Sequence, residues 1–220
     1  VNKGGKGRHG QQSNIIKEAQ KMKKLILSLC DYTGNWPYAY AELLDEYEVV
    51  SIDLQTGTDV LTYEPSRQPY GVLAAPPCTY FAVSGARWFN DPIRRPKSGL
   101  DNAIAIVEAC VRIGKTATNF FALENPVGTI RRHVPSIGEK LLTFNPCDYA
   151  GFAPDPLSEA YTKKTLIYGR FNANLPTNRV AIQHEKGSSP IHKAPPGPDR
   201  ANFRSATPLG FAKAFFMANR

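Results

Sequence analysis

Residues 23–37, KKLILSLCDYTGNWP, set how the rest of the chain is read. The apolar run KKLILSLC (23–30) is long enough for a buried strand and too short for a helix of its own. A turn-rich segment with Gly34 follows, and Pro37 stands where a first helical turn tolerates proline. The same order of strand, turn and helix then recurs. YAYAELLDEY (38–47) has helix-forming composition, while EVVSIDL (48–54) and YGVLAAP (70–76) read as strands. GLDNAIAIVEACVRIG (99–114) spaces Ile104, Val107 and Val111 for one helical face, with Gly114 able to stop it. NFFALENP (119–126), KKTLIYG (163–169) and RVAIQH (179–184) are further strand candidates, and TPLGFAKAFFMANR reads as a closing amphipathic helix. Strands alternating with helices predict an α/β fold, a mostly parallel sheet with helices on both faces.

The chain has 220 residues, enough for one sizeable core and short for two domains. No apolar run approaches the ~18 residues of a membrane span. Cys30, Cys78, Cys110 and Cys147 match no zinc-ligand spacing, and His9, His133, His184 and His192 are scattered, so no metal site is expected. Free thiols and the lack of a secretory pattern lead to the expectation of a cytoplasmic protein. The formal charge is +8, and most of the excess lies in the leader, where residues 1–24 hold seven lysines and arginines against Glu18. A flexible basic segment over 1–22 and one catalytic domain over 23–220 are expected. Such a leader holds a phosphate backbone loosely or is simply solvated.

In parallel sheets, ligands bind beyond the carboxyl ends of the strands. Cys30, Asp53, Cys78 and Glu124 all fall at such ends. Gly34 lets backbone approach a ligand, although the loop lacks a full GxGxxG and also fits an ordinary turn. Asp53 suits both hydroxyls of a ribose, and Asp59 an adenine amino group; either also fits a turn former. At GVLAAPPC (71–78), Pro76 and Pro77 fix the approach of Cys78, a position that suits a nucleophilic thiol. Cysteine is equally a common buried small hydrophobe. The functional reading gains from ALENPVG, which places Glu124 at the end of another strand.

Pro77-Cys78, Phe81 and Gly85, together with Glu124-Asn125-Pro126, resemble the nucleophile and Glu-Asn motifs of the DNA cytosine-5 methyltransferase family. LSLCDYTG is similar to that family's cofactor loop, with Cys30 and Asp31 departing from it. NPCDYAG…YTKKTLIYG and RSATPLGFAKAFF resemble later segments of short phage-borne members. The resemblance implies a Rossmann-like class I methyltransferase using S-adenosyl-L-methionine and cytosine-containing DNA, double- or single-stranded. It assigns Cys78 to attack on C6, Glu124 to hydrogen bonds with the ring N3 and exocyclic amine, and Asn125 to positioning the loop that holds Cys78. Cys30, Asp31, Thr33, Gly34, Asp53, Asp59 and Pro76 would line the cofactor. Residues 79–89 would close over a base that must leave its stack, with Ser84 and Arg87 contacting the strand.

Two departures shape the expectation further. The family's arginines fall opposite Lys163 and Thr165, leaving Lys163 or Lys164 as substitutes that lack a guanidinium fork. Arg204 lies on the far side of a short segment, about 170–203, in place of the family's target-recognition region. Specificity would then be relaxed, or supplied by a partner subunit or by self-association. Two alternatives stay open: cytosine modification at the nucleotide level or with another transferred group, and a non-catalytic methyltransferase-like module that binds DNA or regulates a partner.

Overall fold

Alternating side chains along the central strands divide into two cores. Leu25, Leu27, Leu29, Val72, Ala74, Phe121 and Leu123 face one side, and Ile26, Leu73, Phe120 and Ala122 face the other. Strands buried on both faces read as continuous apolar runs, which is why these segments stand out in the sequence. The computed structural model describes residues 22–182, 193–197 and 199–220. They form an α/β unit around one six-stranded mixed sheet, mostly parallel, in the order β2-β1-β3-β4-β6-β5. The strands are β1 (Lys24–Leu29), β2 (Tyr47–Ile52), β3 (Gly71–Ala74), β4 (Phe120–Pro126), β5 (Lys140–Phe144) and β6 (Thr165–Arg170). β1 pairs in parallel with β2 and β3, and β3 with β4; β6 runs antiparallel to both β4 and β5.

The helices are α1 (Tyr38–Ala41), α2 (Lys97–Gly114), α3 (Ile130–His133), α4 (Arg200–Ser205) and α5 (Leu209–Asn219). α2 covers the first face through Ala103, Ile106, Val107 and Cys110. α1 and α5 cover the second, an aromatic core in which Phe144 and Phe211 stack at 3.8 Å and Phe215 meets Trp36 edge-on at 5.8 Å. Each such ring pair adds about 0.5–1.5 kcal/mol beyond the area it buries. The Glu159 carboxylate caps α5 from a distance, accepting from the Leu209 and Gly210 N–H groups. Among the described residues no helix is long and apolar enough to cross a membrane.

Several expectations are corrected. α1 stops at Ala41 rather than reaching residue 47, because Tyr47 is drawn into β2, where it is buried against Tyr40 and Phe216. The strand expected over 179–184 is not formed in 179–182, and 183–184 lie outside the described residues. The backbone there is already committed: the Asn178 N–H donates to the Asp148 carbonyl and the Val180 N–H to the Cys147 carbonyl, strapping this segment onto the 146–152 turns. β5 was not foreseen; it is an edge strand with three of its five residues exposed, so its apolar signal is weak. The closing helix is buried nearly all round, not amphipathic. The basic leader lies outside the described residues apart from its last position, as do His184 and His192.

Candidate active site

β1 sits between β2 and β3, so successive connections leave it toward opposite edges of the sheet. In such sheets a ligand crevice is expected at that reversal, beyond the carboxyl ends of the strands. Its near wall is the loop after β1. Cys30 takes a left-handed backbone, φ 56°, unusual for a residue with a side chain. The turn that follows is organised by Asp31, which is 5% exposed. Its carboxylate accepts from the Thr33 hydroxyl (2.7 Å), the Gly34 N–H (3.2 Å), the Trp36 N–H (3.2 Å) and the Ser28 hydroxyl (3.3 Å). Asp31 and Thr33 thus hold the loop's shape, and Gly34 supplies a second left-handed position, φ 66°.

The far wall is the chain after β3. Pro76 is buried, Pro77 exposed and Cys78 half-buried. The Cys78 carbonyl accepts from the Phe81 and Ala82 N–H groups, turning the chain back on itself. That turn docks on the residues just past β4. Val83 N–H donates to the Val127 carbonyl and Thr129 N–H to the Phe81 carbonyl, while Ala82 bridges Gly128. Gly128 is required there, since a Cβ would run into the Phe81 carbonyl. The nucleophile candidate is therefore fixed by backbone to the strand that carries Glu124. Asn125, expected to do this positioning, makes no such bond; its amide is buried and both polar atoms lack a partner. Alternation explains the difference: Glu124 continues the Phe120–Ala122 row and Asn125 the Phe121–Leu123 row, so they emerge on opposite faces.

Glu124 is 8% exposed and its carboxylate accepts no hydrogen bond among the described residues. Burial pushes its pKa above the ordinary carboxylate range; the Lys163 ammonium opposes this and the Asp31 charge adds to it. Burial likewise lifts the Cys78 thiol, Glu124 lifts it further, and Lys163 and Arg204 pull it down. Cys78, Glu124, Asp31, Lys163 and Arg204 thus act on one another through short-range charge. Lys163 is the lysine concerned. Its ammonium also donates to the Arg204 carbonyl at 2.9 Å, whereas Lys164 is exposed and Thr165 is buried with its hydroxyl on the Lys163 carbonyl.

The remaining expected residues lie apart from this group. Asp53 and Asp59 each use one carboxylate oxygen to cap a turn, on the Gln55 and Leu61 N–H groups. Asp53 follows the end of β2, where Gln55 and Asn202 exchange amide hydrogen bonds and link this corner to α4. Ser84 and Arg87 are exposed on the loop beyond Cys78, Arg87 lying over the Trp88 ring at 4.8 Å. Sequence reading missed Gly128 and also Tyr161, buried with its hydroxyl held neutral by burial and by the Glu159 and Glu124 charges. Nothing local marks Gly128, since its role comes from the close approach of the Phe81 carbonyl. The sequence matches no protein-family model and no curated protein.

Proposed function

We propose that the protein methylates C5 of cytosine in DNA through a covalent bond from Cys78 to C6. The observation that carries this reading is the backbone docking of the Cys78 turn on the residues just past β4, the strand holding Glu124, a buried carboxylate without a hydrogen bond among the described residues. A thiol alone meets an unpolarised ring, and a carboxylate alone cannot add to C6. Burial makes the Glu124 carboxyl easier to protonate, and in that form it can donate a hydrogen bond to the ring N3 as sulfur attacks. While Glu124 carries its proton, its charge does not oppose the thiolate at Cys78. Substrate binding at Glu124 and thiolate formation at Cys78 thereby favour each other. Lys163 supplies the cation for the developing charge, a single point rather than a fork. Loss of the C5 proton and expulsion of the thiolate restore the aromatic ring.

The acid at the end of β2 and the turn after β1 suit S-adenosyl-L-methionine, which would supply an electrophilic methyl group when bound. The rigid loop from Cys30 to Trp36 would line it, with the free oxygen of Asp53 available to a ribose and Pro76 forming the floor. Among the described residues the Trp36 indole N–H and the Thr207 hydroxyl are buried without partners, Trp36 being packed against Phe211 and Phe215. Modification at the nucleotide level is the second reading, favoured by the absence of any strand among the described residues between β6 and α4, where a base-reading region would be expected.

Trapping tests both readings. DNA carrying 5-fluorocytosine cannot release fluorine as a cation, so the adduct persists. Wild-type protein with cofactor should form a denaturation-resistant complex on single- or double-stranded DNA, and Cys78→Ser should form none. Reaction of dCMP alone would move the assignment to the nucleotide level, and no adduct with any substrate would leave a binding module.

A further inference from the structure

Cys30 packs on the side of the sheet opposite to the one its position predicts. Leu25, Leu27 and Leu29 face the first core and Ile26 the second, so alternation would send the side chain at 30 the way of Ile26. Cys30 instead packs against the first core, which holds Cys110 of α2. The left-handed backbone at Cys30, φ 56°, redirects it, and the Cys30 N–H is held by the Ile52 carbonyl at 2.8 Å. That conformation is costly for a residue with a Cβ. Within this core the two thiols meet. Cys110 is fully buried, and contact with Cys30 together with burial pushes its thiol up. Cys30 is half-buried, and both are free cysteines.

Backbone strain persists where the surrounding structure over-determines it, and here it brings one sulfur against another. We infer that Cys30 and Cys110 are a redox-active pair that hydrogen peroxide closes into a disulfide, fastening the turn after β1 to α2. Cys30 meets the oxidant, because Cys110 is sealed beneath it and stays a thiol. The Cys30 thiolate attacks the peroxide: an S–O bond forms, the O–O bond breaks, and the departing hydroxide takes up the proton that the thiol released. Cys110 then attacks the sulfenic sulfur. An S–S bond forms, the S–O bond breaks, and the second hydroxide leaves with the Cys110 proton as water. The two thiols lose two electrons and two protons, and the peroxide becomes two waters. A small dithiol reverses the step by exchange. The turn so fastened is the one that Asp31 shapes, so the pair joins it to the helix covering the first face. Neither sulfur bonds to C6 in the reaction proposed above, so the pair stands apart from that reading.

The test treats the reduced full chain with hydrogen peroxide, blocks the remaining thiols in urea, and reads intact mass and peptides without reduction. A peptide pair joining Cys30 to Cys110 should appear, with the loss of two of the four thiols, and dithiothreitol should reverse both. The joined form should unfold at a higher urea midpoint than the reduced form, since the bond closes a long loop of the unfolded chain. Cys78→Ser should form the same link, and Cys30→Ser should form none. In Cys110→Ala the sulfenic acid at Cys30 should persist and be captured by dimedone. Oxidation of Cys30 onward to sulfinic acid with no link to Cys110 would overturn the inference. So would a Cys30 that stays reduced, a Cys30 bonded to Cys78 or to a second chain, or a link that forms only in urea. A joined form that unfolds earlier than the reduced one would also overturn it, as the mark of a bond forced on the fold. Because Cys78→Ser keeps the pair, a failed adduct trap at Cys78 and a failed link at Cys30 are separate results.

Discussion

Two buried acids lie near enough for the charge of one to act on the other, and their surroundings are opposite. Asp31 is buried and accepts four hydrogen bonds from its own loop. Glu124 is buried and accepts none among the described residues, with Asn125 beside it carrying an unpartnered amide. The first arrangement stabilises a shape; the second is tolerated at a cost in stability and leaves polar atoms ready for a ligand. Burial by itself therefore does not mark function. The distinguishing feature is whether the buried group has already been satisfied.

Substitution at Glu124 breaks the comparison most sharply. Glu124→Gln should slow adduct formation by about 10²–10⁴ while leaving the fold intact or more stable. The sign follows from linkage: a carboxyl whose folded pKa is raised contributes stability below the ordinary carboxylate range and loses it as pH rises through the raised value. The wild type should therefore lose stability relative to Glu124→Gln over that window, read from urea midpoints at several pH values. A strongly destabilised Glu124→Gln at all pH values would make Glu124 a structural acid like Asp31.

Asp31→Ala should cost about 2–4 kcal/mol, since it strands buried donors, and Asp31→Asn less; chemical denaturation reads both. If Asp31→Ala unfolds at the wild-type midpoint, the near wall is not held by that carboxylate. Gly128→Ala tests the backbone dock between the walls. Its Cβ must push the Phe81 carbonyl away, at about 1–3 kcal/mol, and adduct formation should slow with it.

Alkylation of Cys78 by iodoacetamide reports the coupling directly. The rate should rise with pH at a midpoint above that of a free thiol, because burial and the Glu124 charge disfavour the thiolate. Glu124→Gln should lower that midpoint and Lys163→Met should raise it; a midpoint unmoved by either change would separate the three groups. The smallest effect is expected at Cys30. Cys30→Gly relieves a left-handed backbone but frees the unfolded chain, so stability should change by no more than about 1 kcal/mol.

Much of the frame was legible beforehand. β1, β3 and β4 announced themselves because strands covered on both faces show unbroken apolar runs. Cys78 and Glu124 were legible because each sits beside a local marker, a proline pair and an amide, at the end of such a run. β5 was not, because an exposed edge strand needs few apolar residues. Nor was the fate of 171–182, whose hydrogen bonds lie with the 146–152 turns and with Asn219. The choice of Lys163 over Lys164 was equally hidden, because adjacent positions on an extended chain point opposite ways and only the sheet's packing says which way is inward.

The amino-acid order alone determined the periodicities, and with them the α/β class and the placing of a thiol and an acid near strand ends. Tertiary structure decided which polar groups were met and which were left waiting: Asp31 and Arg94 found partners, while among the described residues the Glu124 carboxylate and the Asn125 amide did not. The physical reason is that periodicity is a property of neighbours along the chain, whereas the cost of removing a charge from water depends on every group folded around it.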